Sequence, residues 1–334
     1  MKLSMAAALA AATLAALPAA ASEPQISGPY LQDNLAIFLV HGSSTPTGRS
    51  PLATLDEALA SGQAVVYETS DVNNLEVENL STDRLLFVQA GDIVKGGKQD
   101  RVLSVDLVLP PGSGRTSIAA FCVEHGRWSA RGEESADTFA SADKTIAGRK
   151  LRLAAKSEKS QQGVWGAVAE TQGMLQAATG SEVAAPESPS SYQLTLENKE
   201  IAAAMAAQVG AFKDLLEEHE DAVGFIYAVN GQIAGGDIYG SRDLFRKLWP
   251  RLLEASAVEA VAAKGQQTAA VVATEEDARR LMSMTETMIS DREGLPAGVT
   301  LITWQDDKVA IFDTISSQID GLVHRNYIVK SPRL

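Results

Sequence analysis

The chain has 334 residues, a single cysteine and a formal net charge of −13, from 42 acidic and 29 basic residues. That length can bury one large core or two smaller ones. An acidic surface repels nucleic-acid phosphate, which argues against extended nucleic-acid binding, and a lone cysteine rules out an internal disulfide, so the fold must hold by packing.

The first 21 residues, MKLSMAAALAAATLAALPAAA, read as a secretory leader. Lys2 opens it, an Ala/Leu run follows, and small residues precede a cut after Ala21. The run is about 16 residues, short of the roughly 20 that a membrane span needs. Cleavage would leave an exported, periplasmic or extracellular chain with no membrane span.

Residues 22–33 look irregular, with Pro24, Gly28 and Pro29. Asn34 to His41 is mostly apolar and predicts a strand buried on both faces. GSSTPTGRSP is a surface loop. Thr54 caps a short helix, with Glu57 at the capping-box position and Gly62 as the stop. Strands are predicted at Ala64–Glu68, Leu75–Asn79, Arg84–Ala90, Arg101–Leu109 and Ile118–Glu124. Between the third and fourth lies GDIVKGGKQD, where Gly96-Gly97 permits the positive φ of a tight hairpin turn. Residues 127–160 are polar and weakly patterned, the signature of a lid or covering loop. Gln161–Ala178 has helical spacing at Val164, Trp165, Val168 and Leu175.

Residues 179–191 carry Pro186 and Pro189 among small polar residues and form the best linker. Leu194–Glu220 is an amphipathic helix, apolar at Ile201, Met205, Val209, Phe212 and Leu216. Val223–Tyr239 is a hairpin around Asn230-Gly231, a type I′ signal. Ser241 starts a helix kinked or divided at Pro250. A short strand follows at Thr268–Ala273. Thr274 caps another helix with Asp277 at the box position. Val299–Trp304 and Lys308–Ile315 form a hairpin, and Leu322–Val329 is the last strand. The fold class is α+β. The organisation is leader 1–21, a β-rich half 22–178, linker 179–191 and an α+β half 192–334, the two halves joined as one composite domain.

Reactive side chains crowd two stretches. The glycine turn carries Lys95, Lys98, Gln99, Asp100 and Arg101. The strand after it ends on Cys122, Glu124, His125, Arg127 and Trp128. Two glycines before Lys98 suggest an anion cradle, although Gln99 stands where a P-loop has Ser or Thr, and a plain hairpin tip is the simpler reading. Cys122, between Phe121 and Val123, reads as a small buried hydrophobe more readily than as a nucleophile. Glu124 is the candidate general base. Arg127 and Trp128 can grip an anion and a ring. Ala234-Gly235-Gly236-Asp237 reads as a bulge more readily than as a ligand contact. The histidines 41, 125, 219 and 324 show no metal-ligand spacing, so neither metal nor cofactor is expected. No G-x-S-x-G elbow marks a serine nucleophile, and a Ser-His-Asp triad stays open.

The blocks GDIVKGGKQDR and CVEHGRW, with QQGVW after them and VNGQIAGGDIY and LFRKLWPRLL later, resemble the ADP-ribosylglycohydrolase- and rhodanese-phosphatase-associated domain family. His125 and Asp237 depart from that pattern, which more often has Gln and Glu there. The resemblance puts Lys98, Gln99, Arg101, Cys122, Glu124, Arg127, Trp128, Gln162 and Trp165 in motif positions. It implies an association with ADP-ribose and phosphatase chemistry, not a mechanism.

The resulting expectation is a secreted module that binds a small anionic, nucleotide- or ADP-ribose-like ligand. Lys98 and Arg101 would meet the charge, with Arg127 beside them. Trp128 or Trp165 would stack, and Gln99 would orient, near Gln162. Two alternatives stay open: a hydrolase of phosphate- or glycosyl-containing substrates with Glu124 as catalytic base, and a structural protein in which Arg127 merely pairs with Glu124 or Asp100.

Overall fold

The computed structural model describes residues 25–42, 51–142, 146–266 and 272–330. The leader, most of the GSSTPTGRSP loop and residues 268–271 of the expected short strand lie outside them.

The N-terminal half builds a barrel. Its strands are β1 (Gln25–Gln32), β2 (Leu35–His41), β3 (Leu52–Thr54), β4 (Ala64–Glu68), β5 (Asn74–Asn79), β6 (Leu85–Val88), β7 (Ile93–Gly96), β8 (Arg101–Leu103), β9 (Leu107–Leu109), β10 (Gly114–Cys122) and β11 (Thr138–Ser141). Six of them close in the order β10-β5-β4-β11-β7-β8. β5 alternates half-buried and buried residues because one of its faces looks into the barrel. β3, β6 and β9 form a small separate sheet in which β3 and β6 run parallel. Helix α1 (Leu55–Ala60) starts on Thr54 with a complete capping box to Glu57.

The C-terminal half adds β12 (Ala222–Val229), β13 (Gln232–Tyr239), β14 (Ser290–Leu295), β15 (Val299–Gln305), β16 (Val309–Ser316) and β17 (Leu322–Val329). With β1 and β2 they make an eight-stranded antiparallel sheet, ordered β1-β2-β12-β13-β17-β16-β15-β14. β2 is apolar throughout because both of its faces are covered: Leu35, Ile37 and Leu39 join the core shared with the barrel, while Ala36, Phe38 and Val40 join a second core.

Seven α-helices fill the space: α1, α2 (Arg149–Arg152), α3 (Gln161–Thr179), α4 (Tyr192–Leu196), α5 (Lys199–Phe212), α6 (Arg242–Ala262) and α7 (Glu275–Ser283), among the described residues. α6 is the central one. Leu244, Phe245, Leu248, Trp249 and Leu252 join barrel and sheet residues in one core, while Val258 and Val261 reach the cluster around α3. A helix apolar on most sides is a buried helix. α7 covers the other sheet face through Ala278 and Leu281.

The fold is α+β with antiparallel sheets, and several boundaries move. Residues 25–32 are an edge strand, not irregular chain; Pro29 is tolerated because it sits in a bulge on that edge. The expected strand 101–109 breaks at Ser104-Val105-Asp106, where the chain leaves the barrel for the small sheet. Ile93–Gly96 is a strand rather than part of a turn. Residues 127–160 are no covering loop: they hold β11, which closes the barrel, then α2 and a π-helical turn at Leu153–Ser157. Their polar pattern is real, but Arg152 and Lys156 are buried. The helix expected at 194–220 divides before Asn198, which caps α5. α6 runs through Pro250 undivided.

Candidate functional site

The β7–β8 hairpin sets the first site. Gly96 has φ +128° and Gly97 has φ +57°. A Cβ on Gly97 would lie 2.3 Å from Phe139 Cζ, so only glycine fits. This turn brings Asp100 against the end of β10. Its amide donates to Glu124 Oε1 at 2.6 Å, and its Oδ1 accepts from the Gly96 amide at 3.1 Å.

Two arginines then lock the pair of carboxylates. Arg127 donates to Glu124 Oε1 through Nε at 2.8 Å and Nη2 at 2.5 Å, and to Asp100 Oδ1 at 3.3 Å. It also reaches the carbonyls of Gly96, Gly97 and Ser129. Arg131 donates to Asp100 Oδ2 at 3.2 Å and to Glu134 at 2.8 Å. Ser188 donates to Glu124 Oε2 at 2.7 Å. Asp100 and Glu124 are fully buried.

The electrostatics follow from this geometry. Burial, then the neighbouring Glu124 charge, pushes the Asp100 carboxyl up to about 6. Burial also opposes ionisation of Glu124, but the Arg127, Asp100 amide and Ser188 hydrogen bonds outweigh it and hold this carboxyl below its ordinary value. A general base at neutral pH needs access to substrate and a raised pKa; Glu124 has neither here.

The rest of CVEHGRW is held by its backbone. Gln161 brackets Cys122, accepting from its amide and donating to its carbonyl, both at 2.9 Å. Val123 pairs with the Asp100 carbonyl and the Tyr192 amide. The Glu124 carbonyl accepts from Trp165 Nε1 at 3.0 Å and Gln99 Nε2 at 3.3 Å. Ser190 Oγ bonds both the amide and the carbonyl of His125. The block is a clasp that continues β10 beyond the barrel and fastens it to α3 and the 188–192 segment.

The expected site residues therefore divide. Gln99, Glu124, Arg127 and Trp165 come together. Arg101 is buried to the side, paired with Glu68 at 3.5 Å and donating to the Gln99 carbonyl at 3.0 Å. Lys98 points to Ser70 Oγ at 3.1 Å. Trp128 is 59% exposed and Gln162 is exposed; its neighbour Gln161 makes the contact. Cys122 is buried, which raises its thiol pKa. Arg131 and Ser188 were not among the sequence candidates, because Arg131 lies in a stretch read as a lid and Ser188 in one read as a linker.

A second polar cluster lies in the centre of the fold. His324 is buried between two carboxylates, with Nδ1 2.8 Å from Asp106 and Nε2 3.0 Å from Asp237. Burial would lower its pKa, but the two carboxylates win and raise it. Arg152 donates to Asp237 at 2.9 Å, Asn326 to Asp237 at 2.9 Å, and the Ala90 amide to Asp106 at 2.6 Å. Tyr239 stacks on the imidazole at 4.6 Å. Asp237 is thus an internal partner, and the expected bulge forms at Ala234, the extra residue of β13 between the pairs Ile233–Ala228 and Gly235–Tyr227.

The third feature is a pocket of about 930 Å³ between α7 and the sheet. Arg279, Arg280 and Arg325 line it together with Glu276, Asp221 and His41. Its arginines are partnered but accessible. Arg279 pairs with Glu275, Arg280 with Asp277 and Arg325 with Asp313, at side-chain exposures of 42%, 56% and 25%. Among the described residues no group of three or more His, Cys, Asp or Glu is placed to hold a metal ion, and no helix is long and apolar enough to cross a membrane.

Fold and sites define an antiparallel α+β protein whose most motif-like residues clasp a barrel, with a charged pocket elsewhere. The chain matches, over residues 23–328, the family described as the ARG and Rhodanese-Phosphatase-superfamily-associated Protein domain, and it belongs to that family. No curated protein and no solved structure matches it.

Proposed function

We propose that the protein binds a small anionic molecule in the pocket beneath α7, and that GGKQDR and CVEHGRW are the clasp that keeps the barrel in place. The observation that carries this reading is the pair Arg279 and Arg280 on the pocket wall, ion-paired yet about half exposed. Exposed pairs are worth only about 0–1 kcal/mol, so an incoming anion can replace their carboxylates cheaply. Arg127 cannot make that exchange, since its partners are buried and would be left uncompensated. A nucleotide or ADP-ribose-like group is the ligand class consistent with the family's associations.

Thermal unfolding against phosphate, pyrophosphate, nucleotides and ADP-ribose tests the reading. A ligand at a hundredfold excess over its Kd adds about 2.7 kcal/mol of stability. A shift with at least one phosphate-bearing member is expected; no shift across the panel would end the proposal. Export belongs to the same reading, and N-terminal sequencing of the secreted form should begin at Ser22.

A further inference from the structure

Three residues far apart in sequence meet where β1, β2 and β12 lie side by side. Ser27 Oγ is 2.6 Å from His41 Nε2, and His41 Nδ1 is 2.8 Å from Asp221 Oδ1. The imidazole therefore has a hydroxyl on one nitrogen and a carboxylate on the other. Tyr30 donates to Ser27 Oγ at 3.2 Å, and its own oxygen lies 2.7 Å from His219 Nε2.

The partners set the proton positions. A carboxylate only accepts, so His41 Nδ1 carries a proton, and in the neutral ring Nε2 is then the acceptor. Ser27 then donates to Nε2. Tyr30, with one proton, gives it to Ser27 and receives one from His219 Nε2. The chain of donors runs in one direction, from His219 through Tyr30 and Ser27 to His41. That is the arrangement in which imidazole takes a serine proton as general base while a carboxylate orients it.

The backbone is shaped to produce it. In β1, Ser27 pairs with Leu39 but Tyr30 pairs with Ile37, so two residues bulge opposite one. In an unbroken strand, residues three apart point to opposite faces. The bulge puts Ser27 and Tyr30 on the same face. Gly28 within it has φ +117°, and a Cβ there would lie 2.7 Å from the Ile37 carbonyl oxygen. A second bulge, between Ala222 and Gly224, adjoins the His41 pairing on the other side. Bulges re-aim side chains in this way beside active sites. Ser27 is half-buried, the His41 side chain is 12% exposed and Asp221 is 62% exposed, so the group opens to solvent.

We propose that Ser27, His41 and Asp221 form a serine-nucleophile site that hydrolyses carboxylic esters. Ser27 Oγ attacks the carbonyl carbon as its proton passes to His41 Nε2. The C–O bond to the alcohol breaks, and the departing alkoxide takes that proton. Water, deprotonated by His41, then cleaves the acyl-serine to release the carboxylic acid and restore Ser27. Tyr30, donating to Ser27 Oγ, holds the nucleophile in place. Asp221 acts through His41 as a positioning residue. His41 and Asp221 also line the pocket beneath α7, but the ester chemistry requires no anion bound there.

A fluorophosphonate probe tests it on the intact chain. Ser27 Oγ would bond to phosphorus as the P–F bond breaks and fluoride leaves. Peptide mass spectrometry should place the adduct on Ser27. Turnover of p-nitrophenyl acetate should fall at least about a hundredfold in Ser27→Ala and in His41→Ala, with unchanged thermal melting. Asp221→Asn should lower kcat at least about tenfold with KM unchanged. An unlabelled wild-type protein, an adduct on another residue, or full turnover in Ser27→Ala would overturn the proposal. The adduct map decides the matter even if a variant fails to fold.

Discussion

Arg127 and Arg280 are both salt-bridged arginines, and they occupy opposite physical situations. Arg127 has a side chain 9% exposed and two buried carboxylates within reach. Arg280 is 56% exposed and shares its charge with Asp277, itself 30% exposed. The first pair is bound into the fold by desolvation: removing one partner strands the other. The second is held by a screened surface interaction that water and salt already compete with. Motif density thus points to the place where charge is consumed, and accessibility points to the place where charge is on offer.

The largest expected effect breaks the clasp. Arg127→Ala leaves Glu124 and part of Asp100 uncompensated in a buried site and should cost about 3–5 kcal/mol, read from urea unfolding. A loss under about 1 kcal/mol would mean that the clasp is not structural. Gly97→Ala comes next. It forces a side chain into Phe139 at positive φ and should cost about 1–3 kcal/mol.

Asp100 sharpens the same comparison through pH. Burial and the Glu124 charge push its carboxyl up to about 6 in the fold, against 3.8 for an ordinary aspartate. The folded state holds this proton more tightly, so the contribution is complete below about pH 4 and is lost as pH rises through about 6. Relative to wild type, Asp100→Asn should therefore gain stability between those limits, on the order of 1–3 kcal/mol. Urea midpoints at pH 4 and pH 7 check both sign and window. The smallest effect belongs to the pocket: Arg279→Ala with Arg280→Ala should leave stability within about 0.5 kcal/mol.

What could be read from the sequence was local. Thr54 with Glu57, Thr274 with Asp277 and Asn230-Gly231 carry their structure in three or four residues, and each forms as its chemistry dictates. The continuous apolar run of β2 announced two covered faces. Residues 127–160 hid their order because their buried groups are charges, satisfied by partners elsewhere in the chain: Arg131 by Asp100, Arg152 by Asp237. At the site, Glu124, Arg127 and Trp165 were recognisable as special residue types. Nothing in their spacing says that they turn on one another instead of on a ligand. Ser160 caps α3 and puts Gln161, not Gln162, against β10, an offset of one residue that periodicity does not resolve. Ser27, His41 and Asp221 share no motif, and only the order β1-β2-β12 brings them together.

The most direct test of the central claim is calorimetric titration of pyrophosphate into three proteins: wild type, Lys98→Ala and the Arg279→Ala/Arg280→Ala double variant. Lys98 belongs to the glycine-turn motif, and the two arginines belong to the pocket. Binding that survives Lys98→Ala and falls at least about tenfold in the double variant is the predicted result. Binding that is lost in Lys98→Ala and unchanged in the double variant would return the ligand to the motif and contradict the account.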